Sequence, residues 1–280
     1  LHNRTHSFPT RRSSDLSQKT GKPGVNVGRE INRHLKSAVG GAERLAPEFG
    51  DAINRVDAEL SKFAKKEGAD TATGDDVKAN LNLSGADFTA AQAPNSVFAG
   101  VQLNATKFLG ALLDGASFEG ATGAGADFTK ARMAGANLSA AMLPEADFTH
   151  ADLKKAAFRA GDYAGANFTS ADLTGASFSA ANLSKAIIAK AFASGASFID
   201  AKAGGADFTR TDLRVARFAN AELRDAIFHG SDITGADFTG ARLQGADLSG
   251  AIGLAPEQLA AACGDASTKL PQGMSLQACE

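Results

Sequence analysis

A large apolar residue stands at every fifth position of this chain from Leu83 to Leu248, and no other feature of the sequence limits the fold as strongly. Of the 34 positions in this column, 30 hold a large apolar residue. The exceptions are Ala93, Gly123, Ala193 and Ala203. A period of five excludes both an amphipathic α-helix, whose apolar stripe repeats every 3.6 residues, and a flat strand of period two. The column therefore predicts a repeat protein made of short segments, each ending in a turn.

A second column lies two positions before the first, and its residues are small. At 32 of its 34 positions the residue is Ala, Ser, Thr or Gly, and the position between the two columns favours Asp or Asn, as in Ala86-Asp87-Phe88. We interpret the large residue as core, the small residue as an inward-facing corner, and the other three positions as solvent-facing. The residues that we predict to form the core are Leu83, Phe88, Phe98, Leu103, Phe108, Phe118, Phe128, Leu138, Phe148, Leu153, Phe158, Phe168, Leu173, Phe178, Leu183, Phe198, Phe208, Leu213, Phe218, Phe228, Phe238, Leu243 and Leu248.

The repeat Ala-(Asp/Asn)-(Leu/Phe)-x-x resembles that of the pentapeptide-repeat family, and the resemblance covers residues 81–253. It implies an all-β solenoid, a right-handed quadrilateral parallel β-helix whose four sides of five residues make a coil of 20 residues. The chain would then contain about 8.5 coils and form a rod about 40 Å long at the roughly 4.8 Å spacing of paired strands. Because Phe recurs every ten residues, we predict Phe stacks on two opposite sides and Leu on the other two, with large residues facing small ones across each layer.

The flanking segments do not share this pattern, so we divide the chain into residues 1–16, 17–80, 81–253 and 254–280. Residues 6–16 resemble the translation of a sequencing-library adapter, and we expect residues 1–16 to be non-native. Residues 17–80 are expected to form a short helical region and a linker. We expect an amphipathic helix there to cover the first coil, with a partner-binding or dimer helix as the alternative. Its apolar stripe is Phe49, Ile53, Val56, Leu60 and Phe63.

Residues 254–280 are expected to form a C-terminal cap that begins with a short helix after Pro256. Cys263 and Cys279 either form one disulfide in an oxidising compartment or remain reduced thiols in the cytoplasm. The tail is similar to those of exported bacterial members of the family. This resemblance implies a weak preference for a periplasmic or exported protein over a cytoplasmic one.

Composition and motifs favour a protein without catalytic activity. The net charge is -2, which provides no basic field for nucleic acid, and no run of about 18 apolar residues could span a membrane. No nucleotide-binding, nucleophile or zinc-protease motif is present. We therefore predict no enzyme activity, no cofactor, no bound metal and no direct contact with nucleic acid.

Coils of 20 residues would stack like residues into ladders along the surface. Carboxylates at Asp127 and Asp147, at Asp152 and Asp172, and at Asp212 and Asp232 would lie about 4.8 Å apart. Such pairs raise a pKa or attract a cation when they lack other partners. The alternative is that these carboxylates are solvated or bonded to neighbouring hydroxyls. A second ladder, which includes Thr129, Thr149 and Thr169, is either an ordinary exposed strand or a flat array that binds ice or another regular surface.

Three functions remain after these considerations. The first is a scaffold that binds an unknown protein partner through a rigid face, with a homodimer left open. The second, which the family resemblance implies, is a DNA mimic that binds a type II topoisomerase, as in quinolone-resistance proteins. Residues 83–253 hold 17 acidic and 14 basic residues, a balance that is poor for a DNA mimic. The third is binding to ice or another regular surface through the Thr ladder.

Overall fold

The structure, a computed structural model, describes residues 82–279. Successive coils pair through isolated parallel bridges between residues 20 positions apart, from Asn82 with Gln102 to Asp232 with Ile252. This spacing confirms the predicted fold, a right-handed quadrilateral β-helix. The residues that precede the core residues define its four sides, and every twentieth residue returns to the same side. We call these sides face A, B, C and D; their first described residues are Asn82, Asp87, Gln92 and Val97.

Each side ends in a tight turn closed by the backbone. The N–H of Ala86, for example, donates to the C=O of Leu83 at 2.9 Å. From Gly85 to Gly245 the last residue of each pentapeptide has positive φ, for example +69° at Gly85 and +58° at Lys130, as the third position of a type II turn requires. Val215, with a φ of +52°, is the only β-branched residue in residues 82–279 that adopts this conformation. Because the branched Cβ crowds the backbone there, Val215 is strained.

The core is a column of side chains that fills the space between the four faces. The residues that we predicted to form it are all 3% exposed or less. Phe rings stack along faces B and D, as for Phe108 on Phe128 at 5.0 Å and an angle of 2° between the ring planes. Faces B and D are opposite, and their rings meet in the centre: Phe118 and Phe128 make an edge-to-face contact at 5.4 Å. The expectation that large residues face small ones is therefore wrong, because each Phe meets the edge of an opposite Phe, a favourable geometry for aromatic pairs.

Two glycines among the inward-facing positions lie where no Cβ would fit. At Gly123 a Cβ would lie 2.4 Å from the carbonyl carbon of Leu103. At Gly161 it would lie 2.6 Å from the ring of Tyr163, the only Tyr of the chain. That ring replaces the usual Leu, and its hydroxyl donates to the C=O of Leu138. Burial raises the pKa of Tyr163. Gly161, two positions before Tyr163, thus makes room for an oversized core residue.

The tail continues the stacking in an irregular coil. It contains helix α1 (Pro256–Leu259) and strands β1 (Cys263–Gly264) and β2 (Gln277–Ala278). Strand β1 pairs in parallel with β2 and also continues face A through the bridge between Arg242 and Cys263. In addition, Lys269 extends face B beyond Asp247. Residues 254–279 therefore cover the last regular coil.

Two side chains of helix α1 hold this cap on the rod. Leu259 is buried against the core, and the Gln258 amide nitrogen donates to the C=O of Ile233 at 2.9 Å and of Ala236 at 2.7 Å. Cys263 and Cys279 form a disulfide that joins β1 to the end of β2. The expected adapter-derived segment, N-terminal helix and linker lie outside the described residues.

Candidate interaction surfaces

The Asp or Asn before each core residue has a role in the turn. Oδ1 of Asp87 accepts the backbone N–H of Thr89 at 3.0 Å. This is the local bond that Asn and Asp form in turns, two residues along the chain. Sequence reasoning placed these residues at the surface but missed the bond, although the Asp/Asn column itself was the signal. The other acceptors of this bond are Asn82, Asp127, Asn137, Asp147, Asp152, Asp162, Asn167, Asp172, Asn182, Asp207, Asp212, Asp232, Asp237, Asp247 and Asp265.

The first predicted carboxylate ladder on face C is bridged by a lysine. Asp152 and Asp172 are ladder partners, and Lys154 Nζ lies 3.1 Å from Asp152 and 2.9 Å from Asp172. Burial acts to raise the pKa of Asp172, but the hydrogen bonds from Lys154 and Thr174 lower it below the ordinary value. The same pairs raise the pKa of Lys154, with Asp172 contributing most. The expected rise in pKa is therefore not found at Asp172, since Lys154 supplies the cation.

The second ladder on face C repeats the arrangement with an arginine. Arg214 pairs with Asp212 at 2.6 Å and reaches Asp232 at 4.0 Å. The hydrogen bond from Arg214 is the main cause that lowers the pKa of Asp212, against the opposing effect of burial. The sequence carries the signal for both clusters, because Asp-Leu-Lys at 152–154 and Asp-Leu-Arg at 212–214 each lie one coil from a second Asp.

The remaining ladder lies on face B and has no cation. Asp127 and Asp147 are bridge partners, and neither forms an ion pair with another residue of 82–279. Their Oδ1 atoms accept the N–H groups of Thr129 and Thr149 at 2.9 and 2.8 Å. These carboxylates therefore accept backbone N–H groups of their own turns, and not the neighbouring hydroxyls that the alternative named.

The Thr ladder on face B is short, and its hydroxyls are not a uniform outward array. Thr129, Thr149 and Thr169 occupy consecutive coils, but Leu109 and Ala189 interrupt the column on either side. The Thr169 hydroxyl donates to Asn167 Oδ1 at 2.6 Å, and the Thr149 hydroxyl oxygen is buried without a partner. The ladder thus offers few free hydroxyls for binding to ice or another regular surface.

Exposed large apolar side chains concentrate on faces B and C and at their edges. Phe192 on face C is 57% exposed, and Val215 at the following corner is 60% exposed. Only Met142 among them lies on face A. The full set is Leu109, Met142, Ile187, Phe192, Val215, Ile227 and Ile252. This uneven distribution of exposed apolar side chains distinguishes faces B and C from faces A and D.

Metal-binding clusters and membrane-spanning helices are both absent from the described part of the chain. Residues 82–279 contain no group of three or more His, Cys, Asp or Glu residues that could hold a metal ion. No helix among these residues is long and apolar enough to cross a bilayer. The arrangement that remains is a set of rigid faces.

Stacked coils around one continuous core define a solenoid repeat protein. Eight copies of the family model for pentapeptide repeats match the chain. The chain therefore belongs to the pentapeptide-repeat family. The matched ranges are residues 82–120, 124–159, 151–188, 176–214, 194–230 and 216–252.

Solved structures similar to this chain are also pentapeptide-repeat proteins. HetL from the cyanobacterium Nostoc sp. strain PCC 7120, which is involved in regulating heterocyst differentiation, is 23% identical with a TM-score of 0.36. The match covers 71% of this chain and 87% of HetL. A trypsin-treated form of QnrB1, a plasmid-mediated fluoroquinolone resistance protein, is 21% identical over 66% of this chain and 90% of its own, with a TM-score of 0.41. A protein of the Arabidopsis thaliana thylakoid lumen is 29% identical over 48% of this chain and 68% of its own, with a TM-score of 0.21. The search of curated proteins found no match.

Proposed function

We propose that this protein is a non-enzymatic scaffold that binds a partner protein through the outer faces of its β-helix. The observation that carries the proposal is that the exposed large apolar side chains have no structural role in the rod, whereas the core residues and most carboxylates do. The interior is filled by core residues, most outward carboxylates cap turns or pair with cations, and the large exposed apolar residues gather on faces B and C. Exposed apolar groups on a rigid surface are typical of protein-binding sites.

The charge layout favours this scaffold over a DNA mimic. Lys154 and Arg214 lie between the carboxylates of face C, so that face presents alternating charge instead of a continuous acidic stripe. A DNA mimic would need a regular row of unpaired negative charge like that of the phosphate backbone. The disulfide between Cys263 and Cys279 supports an oxidising compartment such as the periplasm.

The test is site-specific photo-crosslinking in the native host. A photoreactive amino acid is placed at one outward position on each face: Ala164 on A, Thr209 on B, Ser194 on C and Ser179 on D. We expect one protein to crosslink from faces B and C and to be absent from faces A and D, which serve as matched controls. Equal background crosslinking from all four faces would contradict a scaffold with a defined binding face. A supercoiling assay with purified gyrase, with and without a quinolone, distinguishes the two functions. A DNA mimic would change the rate of supercoiling, and a scaffold for another protein would not.

A further inference from the structure

In one coil the residue before the core residue is large and apolar on both face B and face C, where many other coils have Asp or Asn. On faces B and C of the coil that spans residues 183–202, this position holds Ile187 and Phe192, which are 41% and 57% exposed. Their ladder partners one coil further along are Asp207 and Asp212, which cap their turns. Ile187 and Phe192 place apolar surface in water and provide no cap. Both effects destabilise the isolated rod, because apolar surface is hydrated and the turn lacks a hydrogen bond.

The corner between these two side chains concentrates positive charge. Lys190 follows Ile187 and precedes Phe192, and Arg210 occupies the same corner one coil later. Neither forms an ion pair within residues 82–279. The backbones of these two residues are about 4.8 Å apart along the rod, so their like charges repel each other.

Val215 adds a third local cost on face C. It lies at the corner that ends face C, one coil beyond Phe192, and is 60% exposed in a left-handed conformation. Glycine occupies this corner in the adjacent coils, at Gly195 and Gly235. A strained β-branched residue at a surface position is a feature that more often serves binding than stability.

We propose that this region, the Phe192 edge (Ile187, Lys190, Phe192, Arg210 and Val215), binds an extended acidic–apolar segment of a partner protein. The proposal rests on the scaffold function and names the partner's chemistry. The apolar side chains of the partner would cover Phe192 and Ile187, and its carboxylates would pair with the two free cations. On face C, Asp172 and Asp212 already pair with Lys154 and Arg214, and on face B Asp207 caps its turn without an ion pair to another residue of 82–279. Lys190 and Arg210 together therefore leave a net positive charge at this corner. Charge complementarity therefore selects acidic partners over basic ones.

Substitutions that restore the repeat pattern test the proposal without threatening the fold. Ile187→Asn and Phe192→Asn place at both positions the turn-capping residue used at Asn167 and Asn182. These variants should unfold at the same temperature as the parent protein or slightly higher. Met142→Asn is the matched control, because it removes an exposed apolar side chain from face A, opposite face C.

The probe is a fluorescent synthetic peptide in which Glu alternates with Leu or Phe, measured by anisotropy against the full chain. We expect Phe192→Asn and the Lys190→Gln, Arg210→Gln double variant each to weaken binding by about tenfold or more, in line with a hot-spot residue. The Met142→Asn variant should bind as the parent does. A peptide with Lys in place of Glu should not bind, and higher salt should weaken binding of the acidic peptide.

Several results would overturn the proposal. Equal binding of the acidic peptide by the parent and Phe192→Asn, or preference for the basic peptide, would remove the assigned chemistry. A parent protein that sediments as a dimer and becomes a monomer on Phe192→Asn would assign the edge to a second copy of the chain. Binding that develops only after Leu60→Ser would assign it to the chain's own N-terminal segment. If crosslinking from other positions still finds one face-specific partner, the scaffold function stands and only the Phe192 edge falls.

Discussion

The rod and its C-terminal cap stack their backbones at similar intervals, but they are held together differently. Along the rod the same inward position returns every 20 residues, so each layer makes contacts similar to those of the layer before it. In the cap, single contacts carry the structure: Leu259 in the core, the Gln258 amide on two carbonyls, and the disulfide between Cys263 and Cys279. The contacts that hold the rod together are repeated in every coil, whereas each contact of the cap occurs once.

This contrast explains where the chain is free to vary. Because the interior of the rod is repetitive and its turns are capped locally, an outward position such as residue 192 can lose its cap without loss of the coil. The cap has no such freedom, since it must satisfy the edge of the last coil with groups that occur once. A free β edge would otherwise pair with other molecules. We therefore expect mutations to act through burial in the rod and through individual bonds in the cap.

The largest effect is expected from a core residue of the rod. Phe168 is fully buried, stacks on Phe148 at 4.9 Å and meets Phe178 edge to face at 5.4 Å. Phe168→Ala should lower the free energy of unfolding by about 3–5 kcal/mol, because it removes the ring and leaves a cavity. Urea unfolding measures the change. The exposed Phe192→Ala is the control and should stay within about 0.5 kcal/mol of the parent; equal losses in the two variants would disprove the burial argument.

A smaller and local effect is expected from the disulfide. The bridge closes 16 residues of the cap, and a loop of about this size contributes about 3 kcal/mol in the chain-entropy model. The double variant Cys263→Ser, Cys279→Ser should therefore speed hydrogen exchange in β2 and leave the exchange of the rod amides unchanged. Faster exchange throughout residues 83–253 would instead show that rod and cap unfold as one unit.

The difference between rod and cap also governs what the sequence could predict. The column from Leu83 to Leu248 specified the core, because a periodic pattern records one solution many times. The coil length of 20 residues was implied only by the resemblance to pentapeptide repeats. The same column did not show how sides pack across the interior. Phe118 and Phe128 lie ten residues apart, and only the structure shows that their rings meet edge to face instead of facing smaller residues.

The cap was predictable only as a segment that ends the repeat. Nothing in the spacing of Gln258 indicates that its amide reaches the C=O groups of Ile233 and Ala236, more than 20 residues earlier. The ion pairs on the rod are less predictable from the sequence than the core and more predictable than the contacts of the cap. Lys154 could have been assigned to Asp172 from the coil length alone, because a coil of 20 residues places Asp172 one layer above Asp152.

A single polar contact of the cap provides the third test. Gln258→Ala should lower the free energy of unfolding of the cap by about 1–3 kcal/mol. It leaves the C=O of Ala236 and the N–H of Ala255 without these partners and removes one of the two hydrogen bonds to the C=O of Ile233. Hydrogen exchange of residues 255–264 measures the change. The exposed neighbour Glu257 provides the control, and Glu257→Ala should leave exchange unaltered apart from a small effect on helix α1. An unchanged cap in Gln258→Ala would mean that the disulfide and Leu259 suffice.

The smallest effect is expected from the ion pairs on face C, and it should depend on pH. Lys154→Met should cost less than about 1 kcal/mol at neutral pH, because all three charged groups are largely solvated. The lowered pKa of Asp172 means that its contribution is present above the pKa of about 3.9 of an unfolded Asp and is lost as the pH falls through the folded value. The difference in stability between parent and variant should therefore begin to shrink as the pH falls below about 4, and it should vanish only below the folded pKa of Asp172.

Lys155 provides the control for that measurement, because it adjoins Lys154 in sequence and forms no ion pair within residues 82–279. Lys155→Met should show no such change between neutral and acid pH. If the two variants follow the same pH curve, the effect belongs to the net charge of the rod and not to the bridge over Asp152 and Asp172. A bridge specific to Lys154 would show that even in the redundant rod, one position can acquire a contact that its neighbours lack.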